Sequence, residues 1–202
     1  MKWVYIALFL YFAAACSSSR PPGANATPLE AAIVVQVRDV QTDADGVDTV
    51  LYLPDCGGIA VGQYRILTAA HCMWDRGHAL GEQVYYVDAS TWRATTQGHA
   101  LAVFQSADGE VAELWPADPL GAWVRTAAAQ DGPAELVHLA GPAIVDTPTM
   151  LAGNTLSGPV AHGDSGSGLF QSGALVGIVD TCVEDTGAPG VCLSGSGQWV
   201  PL

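Results

Sequence analysis

The stretch GPVAHGDSGSGLF, residues 158–170, surrounds Ser165 with Gly163, Asp164, Gly166 and Gly168 and then runs into an apolar segment. A serine in that setting is either a plain turn residue or an exposed nucleophile, because glycines let backbone N–H groups converge on one point without a Cβ in the way. The runs on its C-terminal side are short and apolar, SGLFQ at 167–171 and ALVGIVD at 174–180, which is the signature of strands.

The same pattern fills the chain. Apolar runs recur at residues 31–38, 48–53, 57–62, 64–70, 83–88, 100–105 and 110–115, separated by turn signals such as Asp45-Gly46 and Asp108-Gly109. After Pro116-Ala-Asp-Pro119 a second group follows at 122–126, 134–139, 148–153, 167–171, 174–180 and 190–193. With 23 glycines and 12 prolines among 202 residues, half of them apolar, this predicts an all-β protein. Two packed antiparallel β-barrels or sandwiches are expected, one over about 31–117 and one over about 118–202, with a site in the cleft between them.

Composition narrows the function. The formal charge is −13 and Lys2 is the only lysine, which argues against nucleic acid as a partner. Residues 1–15 are one lysine followed by an apolar run ending in Ala13-Ala14-Ala15, which reads as an export signal too short to span a membrane. Small residues directly before Cys16 resemble a bacterial lipobox, in which Cys16 carries the lipid; the alternative is an ordinary signal peptide cleaved near Ala15. Lipidation of Cys16 would leave four of the five cysteines to form two disulfides in an exported protein. Residues 16–30, rich in Ser and Pro, read as a tether. The expected location is therefore the bacterial cell envelope through a lipid anchor, or otherwise a secreted or periplasmic one.

A serine hydroxyl needs a base, an orienting carboxylate and oxyanion donors before it can transfer an acyl group. His71 in ILTAAHC, residues 66–72, is the candidate base; taken alone, a histidine after a strand is more often structural. Cys56-Gly57-Gly58, followed by Thr68-Ala-Ala-His-Cys72 and later by Gly163-Asp-Ser-Gly166, resembles the trypsin-like (chymotrypsin-fold) serine proteases in motif and in order, over roughly residues 31–200. The resemblance implies His71 as general base and Ser165 as nucleophile, brought together from two barrels, with the N–H groups of Gly163 and Ser165 as the oxyanion hole. It also implies a peptide or protein substrate and no cofactor.

For the carboxylate, the strand frame EVAEL at 110–114 favours Glu110, with Asp108 as the alternative. A third carboxylate, Asp180, stands where the family usually has serine; it could support His71, share a proton with Glu110, or be a solvated strand-end residue. Pro159, at the base of the implied specificity pocket, replaces the aspartate of members that cut after Arg or Lys, so small or apolar side chains are expected there. Asp180, Thr181 and Gly190 would line the facing walls. Cys56–Cys72 and Cys182–Cys192 are the implied disulfides, the second a departure from the usual pairing.

The family's activating N-terminal Ile-Val-Gly-Gly does not precede Ala31, so Asp164 must find a partner other than a freed terminus: Arg125, Thr181 or backbone donors. The histidines occur singly, without ligand-pair spacing, so no metal is expected. The competing function is a catalytically silent protein of the same fold that acts by binding.

Overall fold

The computed structural model describes residues 26–74, 83–88, 98–105, 110–140, 143–185 and 188–202. Cys16, Asp108, the export signal and most of the tether lie outside the described residues. Six strands make the first half: β1 (Ala32–Thr42), β2 (Asp48–Gly62), β3 (Arg65–Ala69), β4 (Gln83–Asp88), β5 (Gly98–Gln105) and β6 (Val111–Pro116), with the single helical turn α1 (His71–Trp74) after β3. Six more make the second: β7 (Gly132–Ala140), β8 (Ala143–Ala152), β9 (Thr155–Ser157), β10 (Gly168–Gln171), β11 (Ala174–Asp185) and β12 (Ala188–Pro201). Each set closes into an antiparallel barrel, in the order β1-β2-β3-β6-β5-β4 and β10-β11-β12-β9-β8-β7.

Strand periodicity explains how the barrels form and how they meet. Along β6, Ala112, Leu114 and Pro116 are buried while Glu113 is half-buried and Trp115 exposed, the period-2 pattern of a sheet with one wet face. The second barrel's strands near the interface are apolar on both faces. Leu136, Leu169, Val176 and Trp199 belong to its own core, whereas their neighbours Val137, Phe170, Leu175 and Val200 join the cluster of the first barrel. One face fills the barrel and the other is the contact between barrels, which is why ALVGIV reads as a continuous apolar run rather than an alternating one.

Two segments differ from the sequence expectation. Residues 48–53 and 57–62 form one strand, β2, which carries the irregularity as a bulge: Val35 and Gln36 of β1 pair with Cys56 and Pro54, leaving Asp55 as the extra residue. Residues 122–126 form no strand; Val124 N–H donates to Ala60 O at 3.0 Å and Leu175 N–H donates to Arg125 O at 2.9 Å. Ala127 N–H also donates to Leu175 O at 2.9 Å, so the linker makes one bond to the first barrel and an isolated bridge to the second instead of a ladder with either.

The barrels come into close contact at Gly57. Its N–H donates to Ser165 O at 2.7 Å, and its carbonyl accepts from the Thr68 hydroxyl at 2.7 Å. A Cβ on Gly57 would lie 2.8 Å from Ser167 Oγ and 2.9 Å from Ser167 N, and one on Gly166 would collide with Gly57 O. Gly57→Ala is therefore expected to lower stability by about 1–3 kcal/mol through overpacking at this junction; a urea midpoint unchanged from wild type would count against the close approach.

Candidate active site

His71 is delivered by the end of β3. Ala69 and Ala70 are fully buried, Ala70 N–H donates to Glu110 O at 2.9 Å, and the N–H groups of Met73 and Trp74 both donate to Ala70 O. These bonds turn the chain sharply and present His71 at the surface of the barrel. Cys72 is bonded to Cys56 across a sequence separation of 16, so the loop carrying the imidazole is tied to the strand that carries Gly57. Cys182 is also disulfide-bonded; the side chain of Cys192, its expected partner, lies outside the described ones.

Asp180 faces His71 from the second barrel. In the β11–β12 ladder Val179 pairs with Trp199 and Thr181 with Gln198, so Asp180 is the extra residue of a bulge. A bulge re-aims a side chain out of the regular pleat, and here the carboxylate meets the imidazole: His71 Nδ1 lies 3.3 Å from Asp180 Oδ1, with side-chain exposures of 37% and 22%. With that oxygen as acceptor, Nδ1 carries the hydrogen and Nε2 keeps its lone pair. Glu110 is exposed and directly precedes β6.

Ser165 sits between these elements in the loop before β10. Its hydroxyl donates to the backbone carbonyl of Asp180 at 2.9 Å, and among the described residues no hydrogen bond joins it to His71. Asp180 therefore touches both partners, His71 through its side chain and Ser165 through its backbone. Gly163 has φ +94°, a conformation open to glycine but strained for other residues. Among the described residues, the N–H groups of Gly163 and Ser165 donate to no other protein group. Two free donors around the serine are what a developing oxyanion requires.

Asp164 is 1% exposed. Its Oδ2 accepts from Ala161 N–H at 2.7 Å, and its Oδ1 lies 3.1 Å from His138 Nδ1. Of the partners expected for Asp164, a backbone donor is present; among the described residues neither Arg125 nor Thr181 hydrogen-bonds to it, and the sequence reading does not include His138. The available signal was its place in β7, two residues after Leu136 on an inward face, where an imidazole must find partners for its ring nitrogens.

Of the expected substrate-binding residues, Pro159 is exposed and Thr181 half-buried, while Gly190 lies in β12. Val160 is 4% exposed and occupies the space beside Gly197, where an added Cβ would lie 3.0 and 3.2 Å from the valine methyls. No acidic side chain stands at Pro159, Val160 or Ala161. Ligand atoms of Cys56, His71 and Cys72 lie within 4.8 Å of one another, but the two sulfurs are joined to each other and do not offer the thiolates that a soft metal takes. Among the described residues, no helix is long and apolar enough to cross a membrane.

No family model matches the chain, and no curated protein matches it in sequence. Solved structures do match in fold. The MamO protease domain from Magnetospirillum magneticum superposes with a TM-score of 0.62 at 16% identity, covering 87% of this chain and 93% of that one. The active form of the Rv3671c protease from M. tuberculosis gives 0.58 at 18% identity, with 86% and 76% covered. The scabies mite inactivated protease paralogue S-D1 gives 0.57 at 12% identity, with 88% and 91% covered. The chain thus has the chymotrypsin-like double-barrel fold, shared by protease domains and by an inactivated paralogue alike.

Proposed function

We propose that the protein is a serine endopeptidase in which Ser165 attacks the scissile carbonyl, His71 is the general base and Asp180 is the carboxylate that orients it. The observation that carries this reading is the 3.3 Å contact between His71 Nδ1 and Asp180 Oδ1 beside a glycine-flanked serine. It supports an imidazole held in the tautomer that leaves Nε2 free to accept the Ser165 proton. The carbonyl carbon gains the bond to Oγ, its oxygen takes negative charge between the N–H groups of Gly163 and Ser165, and His71 then passes the proton to the leaving amine. Water repeats the sequence to release the acyl group.

In the resting arrangement the Ser165 hydroxyl is bonded to Asp180 O, so the step to attack is a rotation about the serine side chain toward Nε2. Catalytic hydrogen bonds often tighten only once substrate is bound. Specificity follows from volume and charge: Val160 fills space beside Gly197, and a cationic side chain entering there would find no carboxylate on residues 159–161. Substrates with small apolar side chains before the scissile bond fit best. Export and lipid attachment at Cys16 belong to the same proposal and rest on residues 1–16 alone.

The same serine contact favours a second reading, a catalytically silent binding protein, because a hydroxyl bonded to a carbonyl is not bonded to a base. A fluorophosphonate probe separates the two. Labelling of the folded protein that disappears in Ser165→Ala supports the enzyme; no labelling of the folded wild type supports the silent protein.

Asp180→Asn is expected to lower kcat by about 10³–10⁴-fold, the loss that follows when a triad acid no longer fixes the imidazole. Glu110→Gln is the control, and a larger loss there than in Asp180→Asn would move the orienting role to Glu110. With paired peptide substrates, alanine or valine before the scissile bond is expected to give kcat/KM at least about tenfold above arginine; faster cleavage after arginine would refute the reading of the pocket.

A further inference from the structure

Besides His71 and Asp180, a second histidine and carboxylate meet beside Ser165, and the proposed chemistry does not use them. Asp164 is 1% exposed and directly precedes the serine, while His138 is 7% exposed. Every polar group of Asp164 is engaged. Oδ1 faces His138 Nδ1 at 3.1 Å, and Oδ2 accepts from Ala161 N–H at 2.7 Å. Its own N–H donates to Ala161 O at 3.2 Å, and its carbonyl accepts from Ser167 N–H at 2.9 Å. Asp164 thus ties residues 161–167 together, Ala161 through both its carboxylate and its N–H and Ser167 through its carbonyl, while the Gly163 and Ser165 N–H groups stay free of other protein groups.

A carboxylate this deeply buried is expensive unless it is paired. Among the described residues, His138 is the only titratable side chain in contact with it. The imidazole is held in turn at its far nitrogen, where Nε2 lies 3.2 Å from the Thr147 hydroxyl. His138 pairs with Val145 in the β7–β8 ladder, so Thr147 is the diagonal neighbour two residues along, within side-chain reach. A hydroxyl can donate to a ring nitrogen or accept from a ring N–H, so the chain Thr147–His138–Asp164 stays hydrogen-bonded whichever charge the imidazole carries.

We infer that His138 is a positioning residue for the proposed reaction: anchored on the β7–β8 ladder, it clamps Asp164 and so holds the Gly163–Ser165 donors in place without any chain terminus having to be inserted. This rests on Ser165 being the nucleophile only for its effect on rate. The clamp itself is a property of the fold and is measured separately.

Amide hydrogen exchange is followed in wild type, His138→Gln and Thr147→Val, with Leu114 in the first barrel as the reference for global opening. In His138→Gln the Ala161 and Ser167 amides are expected to exchange at least about tenfold faster while Leu114 does not, the pattern of a local rather than global loss. Thr147→Val keeps the contact with Asp164 but removes the far anchor. It is expected to speed Ala161 about threefold, and it serves as the test where His138→Gln does not fold. Unchanged Ala161 exchange in a folded variant, or acceleration of Ala161 and Leu114 alike, overturns the clamp.

The second measurement is turnover. His138→Gln and Asp164→Asn are each expected to lower kcat about 100-fold with KM within about threefold, as when oxyanion donors are lost. The double variant is expected to lose no more than the worse single, since both act through one contact. A folded His138→Gln with wild-type kcat, or additive losses in the double variant, overturns the role. A wild type that neither labels nor turns over defeats the Ser165 reading instead, and the exchange data then decide the clamp by themselves.

Discussion

One backbone hydrogen bond, from Gly57 N–H to Ser165 O at 2.7 Å, fixes the rest of the site. It joins a strand of the first barrel to the carbonyl of the serine in the second, and it forms only because neither Gly57 nor Gly166 carries a Cβ. The residue before Gly57 is Cys56, bonded to Cys72, which directly follows His71. A short path of one disulfide and a few peptide units therefore runs from the imidazole to the serine. The apolar packing of Val137, Phe170, Leu175 and Ile178 against the first core surrounds this point; it supplies area, while the hydrogen bond supplies register.

The second constraint is the bulge in β11. A regular ladder there would place successive side chains on alternate faces of the sheet, and Asp180 would point wherever Val179 and Thr181 did not. The extra residue turns its carboxylate toward His71 and leaves its carbonyl toward Ser165. A single residue thereby touches both His71 and Ser165 from one position. It also explains how the apolar run Ala174–Val179 of β11 can lead into a carboxylate, Asp180, without burying an unpaired charge.

The fold was legible because the strand pattern survives almost everywhere: short apolar runs, glycine-rich turns, and a second group of runs with two apolar faces where the barrels meet. Where reading failed, the pattern itself is broken. Residues 122–126 have strand composition but make only an isolated bridge to Leu175 and one bond to the first barrel, and the union of two runs into β2 depends on a bulge at Asp55 within it. The motifs around His71 and Ser165 were visible as local sequence. The contact of Asp180 with His71 is not local, since 109 residues separate the pair; the family resemblance put Asp180 near His71 as one of several readings, but the bulge that aims its carboxylate has no sequence marker. His138 was hidden for a different reason, because a lone histidine in an apolar strand carries no sign of which distant carboxylate it serves.

The distribution of these groups between the barrels is uneven. Ser165, the Gly163 loop, Asp164 with its imidazole, and Asp180 all come from residues 138–180, on the second barrel, whereas the first contributes His71. Sliding of one barrel against the other would break the Gly57–Ser165 bond and change the distances from Ser165 and Asp180 to a single ring. The interface then acts as a vernier for one imidazole, and the disulfide beside it is the setting screw.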